Sequence, residues 1–270
     1  MTIGILILGG YYITIKGTIM LNIIDGDVLV YMSIWGSNTL EEAKTKFGIN
    51  LNDVVTSTFS TDYVMAIGGP DNFRIDLYSE YKGNRKKAKD NRPNWFGDLK
   101  SWVVNHYDGA IETDNCEADD IVRVWALEAD EACIPRVVTS VDKDLDCIAG
   151  NHYNPRTRVI YQICEERAER FYWQQILTGD SVDNIPGLFR CGPVKAKKIL
   201  EDSLTHNELM AAVCVAYEEA YGDEGYAYMT ANGRLIHIWR KVDDYFHIEQ
   251  EVYRAAIANR DRALELQQED

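Results

Sequence analysis

Asp180 and Asp183 stand three residues apart in the stretch Ile176-Leu177-Thr178-Gly179-Asp180-Ser181-Val182-Asp183-Asn184-Ile185-Pro186-Gly187. In a helical turn both carboxylates would point the same way. Ile185-Pro186-Gly187 ends that turn, and Gly192-Pro193 opens a basic segment carrying Lys195, Lys197 and Lys198. A carboxylate pair suited to a cation therefore lies beside a helix start whose backbone N–H groups suit a phosphate. Together they suggest phosphodiester chemistry. An N-capped helix–turn–helix with a solvated acidic face fits this stretch alone equally well.

Other acids fall where elements begin and end. Leu21 to Asp27 reads as a short buried strand closing on acid and glycine, and the apolar run Val28 to Trp35 starts a helix. Open α/β sheets collect ligands at the carboxyl ends of their strands, which places Asp25 where a site would form; capping the next helix is the plainer role. Tyr63 to Ile67 reads as a second strand, ending in Gly68-Gly69-Pro70-Asp71. Glu117, Asp119 and Asp120 open a helix through Leu127. Acid suits a helix start, yet three carboxylates this close repel one another unless a cation is present. Arg136 to Ser140 is a further strand, followed by Asp142 and Asp144 around Lys143, a spacing awkward for capping by both.

The charge is segregated. The chain of 270 residues carries a formal −15, which argues against a general nucleic-acid coat but suits a site that concentrates carboxylates for cations. The window 82–92 gathers Lys82, Arg85, Lys86, Lys87, Lys89 and Arg92, a solvated basic loop or a phosphate contact. Trp95 to Tyr107 has the apolar spacing of a helix, with Trp95, Phe96 and Trp102 expected in the core rather than stacked on bases. The five histidines show no ligand or dyad spacing, and six scattered cysteines without a CxxC pair indicate neither zinc nor a disulfide framework. The composition, 46% hydrophobic and 26% charged, is that of a globular protein, one large domain or a domain plus a lobe. Within residues 1–19 the apolar run Ile3 to Tyr12 is too short for a membrane span and has no basic leader before it; residues 1–19 read as an extension before a functional start at Met20, or as an added edge strand. Leu204 to Asp270 reads as amphipathic helices, clearest at Leu209 to Tyr221, and Arg234 to Arg240 as an apolar segment that packs on the body.

The acids at 25, 117–120, 142–144 and 180–183 recur in chain order with YKGNR (81–85), EADD (117–120), TSVDKDL (139–145) and LTGDSVDNIPG (177–187). This set resembles the flap endonuclease and 5′–3′ exonuclease family, and more narrowly its phage-type members and the 5′-nuclease domain of bacterial DNA polymerase I. The resemblance covers residues 20 to 240 or so. It implies an α/β fold, a central mostly parallel sheet flanked by helices (the PIN-like, 5′-nuclease fold), with a helical helix–three-turn–helix lobe that binds DNA. The implied organisation is an extension at 1–19, a catalytic domain at 20–170 with an arch near 82–107, a helical lobe at 171–250 and a tail at 251–270.

Position by position, the resemblance makes Asp25 the strand-end metal ligand, Glu117, Asp119 and Asp120 the central cluster, Asp142 and Asp144 the next pair, and Asp180 and Asp183 the remainder of a second cation site. Lys82 and Arg85 would contact the scissile phosphate. Lys86 and Lys87 would touch DNA, and Gly187 to Gly192 would form a hairpin whose following Lys195, Lys197 and Lys198 grip duplex phosphates. The implied reaction is phosphodiester hydrolysis assisted by two divalent ions about 4 Å apart. Oxygen-only ligands suit Mg²⁺, with Mn²⁺ as a substitute, and a K⁺ ion is implied at the hairpin. The implied substrates are 5′ ends, flaps or RNA primers, RNA–DNA hybrid included, in a replicating genome; the setting is cytoplasmic, in the host if the chain is phage-encoded, without a membrane partner.

Three departures stand out. Family members commonly end the second strand with an aspartate, where this chain has Gly68-Gly69-Pro70 and an acid only at Asp71, which would supply the carboxylate from a shifted loop. The hairpin reads Leu188-Phe189-Arg190 where many relatives repeat Pro-Gly. The arch between Lys82 and Glu117 is short, which does not favour threading of long flaps. Two other functions share part of the pattern: a PIN-like ribonuclease, against which the 187–198 segment argues, and a catalytically silent DNA-binding module, against which the surviving acids argue.

Overall fold

The computed structural model describes residues 3–8, 11–16, 20–84 and 91–268, with side chains over 20–84 and 91–262. Leu21–Asp25 (β3) is buried along its whole length, as a strand covered on both faces must be. It pairs in parallel with Asp62–Ile67 (β4) on one side and Arg136–Thr139 (β6) on the other. Ala110–Glu112 (β5) extends the sheet in parallel beyond β4, Gly150–Asn154 (β7) pairs in parallel with β6, and Val159–Ile163 (β8) adds an antiparallel edge. The order is β5-β4-β3-β6-β7-β8. Ile3–Leu8 (β1) and Tyr11–Lys16 (β2) pair with each other in a separate two-stranded antiparallel sheet.

Alternation along the strands divides the core. Ile24, Met65, Ile67 and Val137 pack with Leu29 and Val30 of helix Gly26–Ile34 (α1), Phe47 and Val54 of Leu40–Ser57 (α2), and Leu99 and Val103 of Phe96–His106 (called α4, after the short helix α3 at Phe73–Leu77). Trp95, Phe96 and Trp102 pack half-buried against this cluster, as core residues. The alternate residues Ile23, Val64 and Val138 are no less buried. Helix Ala118–Glu131 (α5), with Val122 and Trp125 inside, packs against β3, β4 and β6. Local signals set the helix starts: Thr39 caps α2 by accepting the Glu42 N–H at 3.2 Å, a bond worth about 1 kcal/mol.

The chain divides into two units. The first holds the six-stranded sheet with α1, α2, α4 and α5, and takes in residues 238–244. Of the described residues, the second comprises 74–84, 165–237 and 245–268. Its helices are Glu165–Thr178 (α6), Pro193–Ile199 (α7), His206–Tyr221 (α8), Gly225–Ile236 (α9) and Gln250–Gln268 (α10). The apolar segment expected at Arg234 to Arg240 is thus shared: Leu235 and Ile236 close α9, while Trp239 stacks on Phe73 in the first unit, with ring centroids 5.6 Å apart.

Candidate metal centre and phosphate contacts

The sheet's winding reverses between β3 and β6. From β3 the chain moves outward through β4 to β5, then returns to place β6 on the opposite side of β3. Such a switch point leaves a crevice at the strands' carboxyl ends, and the acids at the ends of these two strands meet there. Asp25, the last residue of β3, is only 6% exposed. Its Oδ2 accepts the Ser140 hydroxyl at 2.8 Å, and the Ser140 Oγ in turn accepts the Asp142 N–H at 2.9 Å. Asp142 caps a short 3₁₀ turn, Lys143–Cys147, its Oδ1 accepting the Asp144 N–H at 2.9 Å. Burial, and next to it the charge of Asp27, push the Asp25 carboxyl up to about 7, with Asp142 adding to the same effect and the Ser140 bond opposing it. Three carboxylates therefore feel one another in a site of low dielectric.

Glu117, Asp119 and Asp120 reach the same unit through the loop after β5. That loop is clasped to the one after β4: Gly69 N–H donates to Thr113 Oγ1 at 2.9 Å, and the Thr113 hydroxyl donates to the Cys116 carbonyl at 2.8 Å. A Cβ on Gly69 would lie 2.0 Å from the Thr113 carbonyl oxygen, so the clasp needs glycine. Asp120 is fully buried, and each of its oxygens accepts a backbone N–H: Oδ2 from Glu117 at 3.0 Å and Oδ1 from Trp239 at 3.1 Å. One turn later, Arg123 donates to the Ile238 carbonyl at 2.9 Å. Asp120 thus fixes the start of α5 and the 238–239 segment as well as adding charge. Asp119 and Asp144 both act on the buried Cys147 thiol, which burial above all, and then their charges, push up against the opposing Arg123 and Arg240. Among the described residues, no three histidine, cysteine, aspartate or glutamate side chains already stand in metal-holding geometry.

Two participants went unread in the sequence. Asp27, in the first turn of α1, ion-pairs with Lys100 of α4, Oδ1 to Nζ 3.0 Å. The signal was Asp25-Gly26-Asp27, in which Gly26 lets α1 begin hard against β4: a Cβ there would lie 2.8 Å from the Ala66 carbonyl oxygen. Ser140 carries no local signal beyond its place at the end of a strand. Asp71 lies exposed in the loop after β4.

The remaining candidates belong to the second unit. Asp180 and Ile185 form a two-way backbone bridge, with N–H to O distances of 3.0 and 2.7 Å. The Asp180 Oδ1 accepts the N–H groups of Val182 and Asp183 at 2.6 and 3.2 Å. This is a tight hairpin turn where the spacing had suggested a helical one, because the aspartate side chain offers the backbone an alternative to helical bonds. Lys82 stands against Asp183: its N–H donates to the Asp183 carbonyl at 2.9 Å, and its Nζ is 3.7 Å from Oδ2. The Tyr81 hydroxyl donates to the same carboxylate at 3.3 Å.

Gly179 and Gly187, both at positive φ, press backbone to backbone. Asn232, another residue the sequence did not flag, holds Gly187 through both its amide atoms: Oδ1 accepts the Gly187 N–H at 3.3 Å and Nδ2 donates to its carbonyl at 3.2 Å. Gly192, Lys195, Lys197 and Lys198 are exposed on α7 and its start. Arg85, Lys86 and Lys87 lie outside the described residues.

A family profile described as the 5′-3′ exonuclease, N-terminal resolvase-like domain, matches residues 20–177. The chain belongs to that family. It is 27% identical over 215 residues to DNA polymerase I of Bacillus caldotenax, covering 71% of this chain and 24% of the polymerase. It is 28% identical over 144 residues to the flap endonuclease Xni of Shewanella piezotolerans, covering 50% of this chain and 56% of that one. The chain therefore spans about a quarter of the first relative and just over half of the second. The 5′-3′ exonuclease fold is matched by a bacteriophage T5 flap endonuclease solved as a pseudo-enzyme–product complex with DNA and metal ions. The TM-score is 0.67 at 17% identity, over 88% of this chain and 97% of that one. Among the described residues, no helix is long and apolar enough to cross a membrane.

Proposed function

We propose that this protein is a metal-dependent 5′ nuclease that hydrolyses phosphodiester bonds at DNA 5′ ends and flaps, RNA primers included, during replication. The observation that carries the reading is the Asp25 environment: a carboxyl buried at the sheet's switch point, pushed up to about 7 by burial and the charges of Asp27 and Asp142. Acid gathered and buried at this place is chemistry that suits a cation. The donor set is oxygen only, which suits a hard ion, and family membership and the T5 fold match add to the case.

Asp25, Asp142, Asp144, Asp119 and Glu117 would hold Mg²⁺, or Mn²⁺ in its place, with Asp120 organising the turn that presents two of them. Asp180 and Asp183 would serve a second ion, and K⁺ would sit at the 187–192 hairpin. Bound divalent cations supply an activated water and charge stabilisation at the leaving 3′ oxygen. Lys82, released from Asp183, would offset charge on the attacked phosphate with Arg85. Lys195, Lys197 and Lys198, with Lys86 and Lys87, would follow the DNA backbone. In this reading residues 20–170 are the catalytic part and 171–250 the DNA-holding part, acting in the cytoplasm.

The test is product analysis on a 5′-labelled flap DNA with Mg²⁺ and with EDTA, beside single-stranded RNA. Cleavage of the flap that requires the metal is expected; no cleavage, or a preference for the RNA, overturns the reading. Asp119→Ala and Asp144→Ala are each expected to lower turnover by roughly three orders of magnitude or more with circular dichroism unchanged. Lys82→Ala should slow single-turnover cleavage roughly a hundredfold, while DNA affinity measured in Ca²⁺ moves by less than about tenfold. Equal loss of affinity and rate would make Lys82 a binding residue only.

A further inference from the structure

Asp27 and Lys100 meet over the end of β4. The Asp27 carboxylate fills the space above Gly68, where a built Cβ would come within 2.7 Å of Oδ2, so any larger residue there would evict it. Lys100 approaches from α4 with its side chain only 19% exposed. Its ammonium lies 3.0 Å from Asp27 Oδ1 and donates to the Gly68 carbonyl. An ammonium drawn this far from water holds its place only where carboxylate and carbonyl partners replace the lost hydration, and both are present. Asp27 in turn is close enough to Asp25 for their charges to interact.

Resting on the function proposed above, we propose that Lys100 is a tethered counter-ion of the acidic site. Fixed to Asp27, its positive charge neutralises the side of the site next to β4 and sets how tightly the remaining carboxylates take a divalent cation. Lys100 is a positioning residue in this role: it acts through Asp27 and through its field. A unit positive charge about 10 Å or less from a divalent ion, at the effective dielectric of partly buried sites, weakens binding by at least roughly tenfold.

The experiment is Mn²⁺ binding to the full chain, followed by electron paramagnetic resonance, with melting temperatures in EDTA as a check on folding. K100M and K100Q, neutral side chains of different shape, should both bind Mn²⁺ about tenfold or more tighter than the wild type. K100R should match the wild type, and the D27N/K100M double variant, with the whole pair neutral, should return to within about threefold of it. Unchanged or weaker Mn²⁺ binding in the two neutral variants overturns the inference. A wild type that binds no Mn²⁺ at all would instead remove the metal-dependent reading itself, so the two failures are distinct.

Discussion

Asp25→Asn is expected to make the metal-free protein more stable at about pH 8 while removing its nuclease activity. The two effects have one origin. Burial and the neighbouring Asp27 and Asp142 raise the Asp25 carboxyl to about 7, from an ordinary value of 3.8. A carboxyl whose folded-state pKa lies above its unfolded value favours the fold fully below the unfolded value. That contribution is lost as pH rises through the folded one. Over roughly three units the loss is about 4 kcal/mol.

Asparagine keeps an acceptor for the Ser140 hydroxyl and carries no charge at any pH. In EDTA, the wild-type melting temperature should therefore fall between about pH 5 and pH 8, by several degrees. The variant should show a flatter profile and melt higher than the wild type at the upper end. Mg²⁺ at about pH 8 should raise the wild type by mass action and leave the variant nearly unmoved. Parallel pH profiles for the two proteins would show that Asp25 is not the strained group.

Gly187→Ala should disrupt the hairpin of the second unit. At Gly187 φ is +64°, and an added Cβ would lie 2.4 Å from the Gly179 nitrogen and 2.4 Å from the Thr178 carbonyl carbon. These are main-chain atoms, held by the Asp180–Ile185 bridge on one side and the Asn232 clasp on the other. None can swing aside as a side chain would. The expected cost is about 3 kcal/mol or more, combining left-handed backbone strain with the clash.

Gly192→Ala provides the stability control, since a Cβ there meets nothing within 4 Å and φ is −84°; it should cost no more than about 1 kcal/mol. Denaturant melts of both variants, with binding of duplex DNA in Ca²⁺, test this. The Gly187 variant should lose helicity or melt early and bind DNA at least about tenfold more weakly, without phosphate contacts held in register. An unperturbed Gly187 variant would mean that the turn can open without consequence.

Much of this arrangement was legible in the sequence because it is local. Leu21–Asp25 closes on acid, Tyr63–Ile67 runs into glycine and Arg136–Thr139 is followed by Asp142, so the strands could be placed from their local pattern, while the α/β fold was implied by the family resemblance. β7 is not legible: Gly150-Asn151-His152-Tyr153-Asn154 has glycine, asparagine and histidine where strand formers are expected, and becomes a strand because β6 and β8 flank it.

At the site, the acids after β3, β5 and β6 could be named from spacing, but their partners could not. Asp27 meets Lys100 across 73 positions of sequence, a pairing made by helix α4 lying along α1 and the sheet. The i, i+3 spacing of Asp180 and Asp183 is compatible with a helical turn. The side chain's own bonds to Val182 and Asp183 decide for a hairpin instead. Asn232 holds Gly187 from 45 residues away and leaves no local trace.

The central claim is that the carboxylates at the ends of β3 and β6 and the start of α5 form one cation site. Anomalous diffraction from crystals grown in Mn²⁺ tests it most directly. The account predicts a manganese peak bounded by Asp25, Asp142, Asp144 and the Glu117–Asp119 turn, lost in crystals of the Asp25→Asn variant. Manganese bound only elsewhere on a protein that still cleaves flap DNA would contradict it.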